Sequence, residues 1–176
     1  MGQILVIGYG NTFRRDDGAG VALAAQLAAR WQAQVPVRLV TVTQLVPELA
    51  IDIAAADVAA VVFVDTSVGE MVGEMVGEMV GELNRQIGVM RVADDSASPV
   101  MGHYLGPAVL MIYARLYHDR NLPAWLVTVP GIDFAHGEGL SPAVQQLLSA
   151  ANSVVDRLRL AIEEHFRCMN LPLHNV

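Results

Sequence analysis

The chain is expected to fold as an α/β layer protein with about five strands, mostly parallel, and helices on both faces. Three observations predict it. Short apolar runs alternate with longer stretches of helical periodicity. The strand-like runs are almost uninterrupted in apolar residues, as in strands covered on both sides. The 176 residues, 53% of them apolar, suffice for one domain with a substantial core.

Gln3 to Gly8 is the first strand, and a helix follows from Asp17 to about Arg30, with Val21, Leu23, Leu27 and Trp31 as its apolar positions. Val35 to Val42 reads as a second strand and Pro47 to about Ile53 as a short helix. Ala59 to Val64, the most β-branched run, is a third strand that ends at Asp65. Ile87 to Val92 is a fourth. A helix from about His103 to Tyr117 carries Val109, Leu110, Tyr113 and Leu116, and Trp125 to Val129 gives a fifth strand. The last helix has the clearest start, with Ser141 as N-cap and Pro142 at the first helical position, where its missing N–H costs nothing. From there Val144, Leu147, Leu148, Ala151, Val154, Val155, Leu158 and Ile162 recur at helical spacing.

One segment breaks the pattern. Gly69 to Leu83 repeats the tetrapeptide GEMV. As a helix it would stack Glu70, Glu74, Glu78 and Glu82 at i,i+4, and its glycines would each cost about 1 kcal/mol relative to alanine. A duplicated loop inserted into a single domain spanning 1–176 is the expectation.

Composition narrows the function classes. Charged residues are 16%, against about 25% in an average domain. All eleven basic residues are arginine, and the net charge of −7 has the wrong sign for a general phosphate-backbone binder. Four of those negative charges belong to the repeat. A single cysteine, Cys168, excludes an internal disulfide and a Cys-based zinc site. No secretory signal and no membrane-length apolar run is visible, so a cytoplasmic protein with no nucleic-acid or membrane partner is expected, acting as a monomer.

Gly8-Tyr9-Gly10-Asn11 lies where a dinucleotide loop would, but the third glycine of that fingerprint is replaced by Phe13. More informative is Arg14-Arg15-Asp16-Asp17-Gly18. Alone, the two acids would read as helix-start carboxylates favoured by the helix dipole. Asp65, however, stands at the carboxyl end of the third strand, where open α/β sheets bind ligands, and the loop after the first strand reaches the same edge. His103, opening a helix after Gly102, is a candidate third contributor. Asp, Asp and His together suit nickel, zinc or manganese.

ILVIGYGNTFRRDDGAG resembles the opening signature of the hydrogenase maturation endopeptidases: GxGN, then an acidic pair and glycine. The resemblance continues through QLVPELA (44–50), VVFVDTS around Asp65, MGHYLGP around His103 and PGIDFAHGEGLSPAV (130–144), leaving out the repeat and the tail. It implies a three-layer α/β/α sandwich of the phosphorylase/hydrolase-like kind. It also implies removal of a C-terminal peptide from the large-subunit precursor of a nickel–iron hydrogenase. The family's metal-contacting and catalytic positions fall on Asp17, Asp65 and His103, and the nickel is expected to be carried by the precursor rather than permanently bound. Some members have an Asp-Gly-Gly-Thr segment after the second strand; here the matching stretch is Thr41-Val42-Thr43-Gln44, so that aspartate has no counterpart.

Two other readings compete. A non-catalytic module that checks nickel and binds the precursor would keep the same three residues. A peptidyl-tRNA hydrolase-like esterase also opens with a strand and GxGN, but wants an early histidine and a basic face. The first histidine here is His103. His136, in the glycine-rich loop before the last helix, is a possible lining residue of the cleft. His118, His165 and His174 read as solvated helix-end or tail positions. Cys168 lacks an adjacent base, and no serine occupies a GxSxG elbow.

Overall fold

A computed structural model of the chain describes residues 2–68, 86–92 and 105–168. The GEMV repeat, His103 and His174 lie outside the described residues. Five strands form one sheet: β1 (Gln3–Tyr9), β2 (Val37–Val42), β3 (Val58–Val68), β4 (Gly88–Arg91) and β5 (Ala124–Gly131), in the order β2-β1-β3-β5-β4. All neighbours are parallel except β4, which closes one edge antiparallel to β5. The expected five-stranded, mostly parallel architecture is therefore present.

The helices are α1 (Ala19–Trp31), α2 (Leu49–Ala54), α3 (Pro107–His118), α4 (Pro142–Ser149) and α5 (Asn152–Cys168). A single 3-10 turn, Arg15–Gly18, precedes α1. They cover both faces, as the unbroken apolar runs require. On one face Ile4, Val6, Val62, Val64 and Val127 bury against Leu23, Leu27 and Trp31 of α1 and against Val144, Val155, Leu158 and Ile162 of α4 and α5. On the other, Leu5, Ile7, Val61 and Phe63 bury against Ile53 of α2 and Leu110 and Ala114 of α3.

Three sequence expectations change. The helix expected from about His103 begins at Pro107, with Gly106 as its N-cap. The final helix is not continuous: it breaks at Ala150 and Ala151 into α4 and α5. The apolar spacing survives the break, because Val144, Leu148, Ala151, Val155 and Leu158 still face one core. Periodicity alone could not reveal it. The third strand runs on to Val68, so Asp65 lies inside it rather than at its end. There β3 is still paired with β5 (Asp65 opposite Thr128), whereas its register with β1 stops at Gly8 opposite Val64.

The strand order fixes where a ligand would sit. From β1 the chain winds to β2 on one side, then returns to β3 on the other side of β1. The reversal point thus lies between the carboxyl ends of β1 and β3, the place where open α/β sheets form their binding crevice.

Candidate active site at the β1 and β3 strand ends

The loop after β1 is shaped by Gly10. At φ +137° it stands in a region that favours glycine, and a Cβ there would lie 2.0 Å from the Asp17 carbonyl oxygen. The chain can therefore fold back tightly enough for the Asn11 amide to donate to Asp17 Oδ2 (2.9 Å). Asp17 is also tied to β3: the buried Thr66 hydroxyl donates to its carbonyl at 3.3 Å and accepts from the Gly20 amide at 3.0 Å.

Asp65 stands two residues after Phe63 on β3 and so points to the same face, the one covered by α2 and α3. Tyr9 packs on that same face, at the end of β1. Its hydroxyl hydrogen-bonds the Asp65 carboxylate, whose Oδ1 also accepts from the Thr66 amide at 2.7 Å. Burial pushes the Asp65 carboxyl above its usual range. The Tyr9 and Thr66 hydrogen bonds pull it back, and the charge of nearby Asp17 pushes it up again; the net direction is upward. Tyr9 is raised as well, by its own burial first and then by the negative charge of Asp65 and the bond to it.

Asp17 thus lies near enough to Asp65 for its charge to act on the Asp65 carboxyl. Neither finds a cationic partner among the hydrogen bonds and ion pairs of the described residues. Two carboxylates facing one another without a cation make a site that favours a proton, a cation or a polarised water. Among the described residues no group of three His, Cys, Asp or Glu converges as a metal cage.

Asp16 behaves differently. Its side chain is fully buried, and every donor to it comes from the loop between β5 and α4. Its Oδ2 accepts from the amides of Ile132 (3.0 Å) and Asp133 (2.9 Å) and from the Ser141 hydroxyl (2.8 Å); its Oδ1 accepts from the Ser141 amide at 2.6 Å. Burial alone would raise its pKa, but these four donors together hold it below the ordinary carboxylate range. Neither Asp16 nor Asp17 caps α1, whose N-cap is Gly18 with no side-chain cap bond. Ser141 caps α4 as expected, accepting from Val144 N at 3.4 Å while giving its own proton to Asp16.

The remaining histidines separate. His136 is exposed on the loop between β5 and α4, and no described hydrogen bond or ion pair ties it to Asp17 or Asp65. His118 is exposed at the end of α3, and Cys168 is exposed at the end of α5. His165 is not simply solvated: it stacks edge-on against Trp125 and Phe166 and bonds Arg91 at 2.9 Å through Nδ1. Burial and then the Arg91 charge lower its pKa.

Tyr9 is the residue that reading the sequence missed, and the buried setting of Asp16 is what it did not foresee. For Tyr9 the available signal was its place between the two glycines at the end of a strand adjoining that of Asp65. Asp16 is recognisable only through Ser141, far along the chain.

No helix among the described residues is long and apolar enough to cross a membrane. No protein-family profile and no curated protein matches the sequence. The fold, by contrast, is shared with several solved structures. It is similar to the hydrogenase maturating endopeptidase HybD from Escherichia coli, at TM-score 0.62 and 19% identity over 93% of each chain. It is similar also to the NiFe hydrogenase maturation protease HycI from Thermococcus kodakarensis, at TM-score 0.63 and 20% identity over 89% of this chain and 92% of that one. HybD from the same archaeon superposes at TM-score 0.59 with 13% identity, over 89% of this chain and 98% of its own.

Proposed function

We propose that the protein is an endopeptidase of hydrogenase maturation, which removes a C-terminal peptide from the nickel-loaded large-subunit precursor of a nickel–iron hydrogenase. The observation that carries this reading is the unpaired Asp17–Asp65 carboxylate pair at the β1/β3 reversal point, in a fold shared with maturation proteases. The protein works in the cytoplasm, as a monomer, with the precursor as its macromolecular partner.

Nickel is part of the substrate in this reading. Asp17, Asp65 and His103 are the residues that would meet it, the two carboxylates supplying oxygen donors and His103 an imidazole, a set suited to a divalent first-row ion. Hydrolysis then needs a water that attacks the scissile carbonyl, loses a proton to one carboxylate, and leaves the departing amine to take up a proton. In the alternative, in which the carboxylates act as acid and base on water without holding the metal, the upward shift of Asp65, caused by burial first, suits it to the acid half of that exchange. The Tyr9 hydroxyl orients Asp65 from β1.

Mass spectrometry of a nickel-loaded precursor, with and without the protein, tests the reading. The expected result is one defined C-terminal cut, present with the wild-type chain and absent with Asp65→Asn, Asp17→Asn or His103→Ala. Binding of the precursor without a cut would leave a nickel-checking module. Hydrolysis of peptidyl-tRNA in its place would make the protein an esterase.

A further inference from the structure

The chemistry above uses the base of the loop after β1 and leaves its tip without a role. At that tip Phe13 is 65% exposed, and Arg14 beside it is exposed with no hydrogen bond or ion pair from its side chain among the described residues. A lone exposed aromatic on a loose loop would mean little. This one is held. The Phe13 amide donates to Asn11 Oδ1 at 3.0 Å, and the Gly137 amide donates to the Phe13 carbonyl at 2.9 Å. The Arg15 amide donates to the Gly137 carbonyl at 3.0 Å, so that Arg14 and Gly137 form an isolated parallel bridge. Arg15 adopts φ +45°, a left-handed conformation costly for a side chain of its size, and its guanidinium is paired with Asp133.

Strain in the backbone, a bridge to a second loop and an ion pair together fix Phe13 pointing into solvent. Aromatic and arginine side chains on a rigid backbone are what protein interfaces use as anchors, because little conformational freedom is lost on contact. In a chain of net charge −7, the unpaired Arg14 makes this tip a local exception that selects an acidic partner surface. The tip is also continuous with the carboxylates. The Asp17 amide donates to the Arg14 carbonyl at 3.1 Å and the Asn11 amide to Asp17 Oδ2, so residues 11–17 form one hydrogen-bonded loop that carries both the exposed Phe13 and Asp17.

We propose that the Phe13–Arg14 tip is the docking surface for the folded body of the protein substrate, separate from the carboxylates that meet the bond to be cut. The partner surface is an apolar recess bordered by carboxylates. This rests on the reading that the substrate is a protein precursor, so binding and cleavage are measured apart.

Titration of uncleaved, nickel-loaded large-subunit precursor with the wild-type chain, Phe13→Ser and Arg14→Glu gives the affinities. Each variant weakens Kd by about tenfold or more, and raises KM in proportion with kcat within about twofold. Both melt within about 2 °C of wild type, since neither side chain is packed. Unchanged Kd and KM in the variants, or a fall in kcat with KM constant, overturns the proposal. So does a wild-type dimer on size exclusion that Phe13→Ser splits, because the tip is then occupied by a second copy. Tip-dependent binding without any cleavage upholds the docking surface and removes the peptidase reading, whereas cleavage that ignores the tip does the reverse.

Discussion

Asp16 and Asp65 are the same residue in two opposite settings at one end of the sheet. Asp16 is buried, its oxygens taken up by four donors from the loop between β5 and α4, and its pKa is depressed. Asp65 is only partly buried, receives Tyr9 and the Thr66 amide, faces Asp17, and its pKa is raised. A carboxylate saturated with donors has no capacity left for a substrate and serves the fold. One left short of donors and pressed by a like charge is held ready for a cation or a proton. Adjacent in the sequence, Asp16 and Asp17 differ in their donors: four reach the Asp16 carboxylate, and among the described residues the Asn11 amide alone reaches that of Asp17.

The largest expected effect lies on the reactive side of that comparison. Asp65→Asn and Asp17→Asn should slow precursor cleavage by about 10²- to 10⁴-fold, the usual contribution of a positioned acid or base. Neither should cost stability at neutral pH. Because the folded pKa of Asp65 is raised, its charged form is penalised in the native state above that pKa, so an amide at position 65 is neutral or stabilising in a melting curve. A melting loss matching the activity loss would move Asp65 to the structural side.

Asp16→Asn should show the converse. It keeps the shape but turns an amide N–H₂ toward groups that are themselves donors, and a loss of about 2–4 kcal/mol is expected in urea unfolding. The pH dependence has a definite sign. A depressed folded pKa adds stability above the unfolded carboxylate pKa, near 4, and that stability disappears as pH falls through the folded value. The wild type should therefore lose stability on acidification, and Asp16→Asn should lose less of it. Cleavage per folded molecule should change little beside the Asp65 variant.

Tyr9→Phe is a smaller test. Removing the hydroxyl removes one of the two bonds that pull the Asp65 pKa down, so the corresponding midpoint of the pH–rate profile should move up, with cleavage at its optimum falling by no more than about tenfold. An unmoved midpoint would mean that Tyr9 only packs. The smallest effect should come from deleting Gly73 to Val80, two whole units of the repeat. Loop closure changes by only about 0.6 kcal/mol per doubling of length, so the melting temperature and cleavage should stay close to wild type. A loss of several kcal/mol would show instead that the Met and Val positions are packed into the core.

The legibility of these features in the sequence follows how local their causes are. The strands around Val6, Val62 and Val127 were readable because burial on both faces demands unbroken apolar runs. That Asp17 and Asp65 belong to one edge of the sheet was readable because one follows the loop after β1 and the other follows the apolar run of β3, although β3 continues past Asp65 to Val68. Asp16 was not, since its partners Ile132, Asp133 and Ser141 are distant in sequence and two of them contribute only backbone amides, which carry no residue signature. The same holds for the break at Ala150, where helical spacing continues across an interruption of the backbone. Likewise the extension of β3 to Val68 depends on pairing with Pro130 and Gly131 of β5, information held in another segment.

The start of α1 carries one more consequence. A Cβ on Gly20 would stand 2.7 Å from the Tyr9 carbonyl oxygen, 2.8 Å from that of Val64 and 2.9 Å from Asp65 Cα. All three atoms are backbone, so none can swing aside. The first turn of this helix is therefore a bearing seated directly on the backbones of β1 and β3, with clearance at position 20 for a hydrogen atom and nothing larger. In a saturation library, even alanine at this position should register as a lost seat, with the helix pushed outward from the two strand ends and stability reduced, although no reactive atom has been altered.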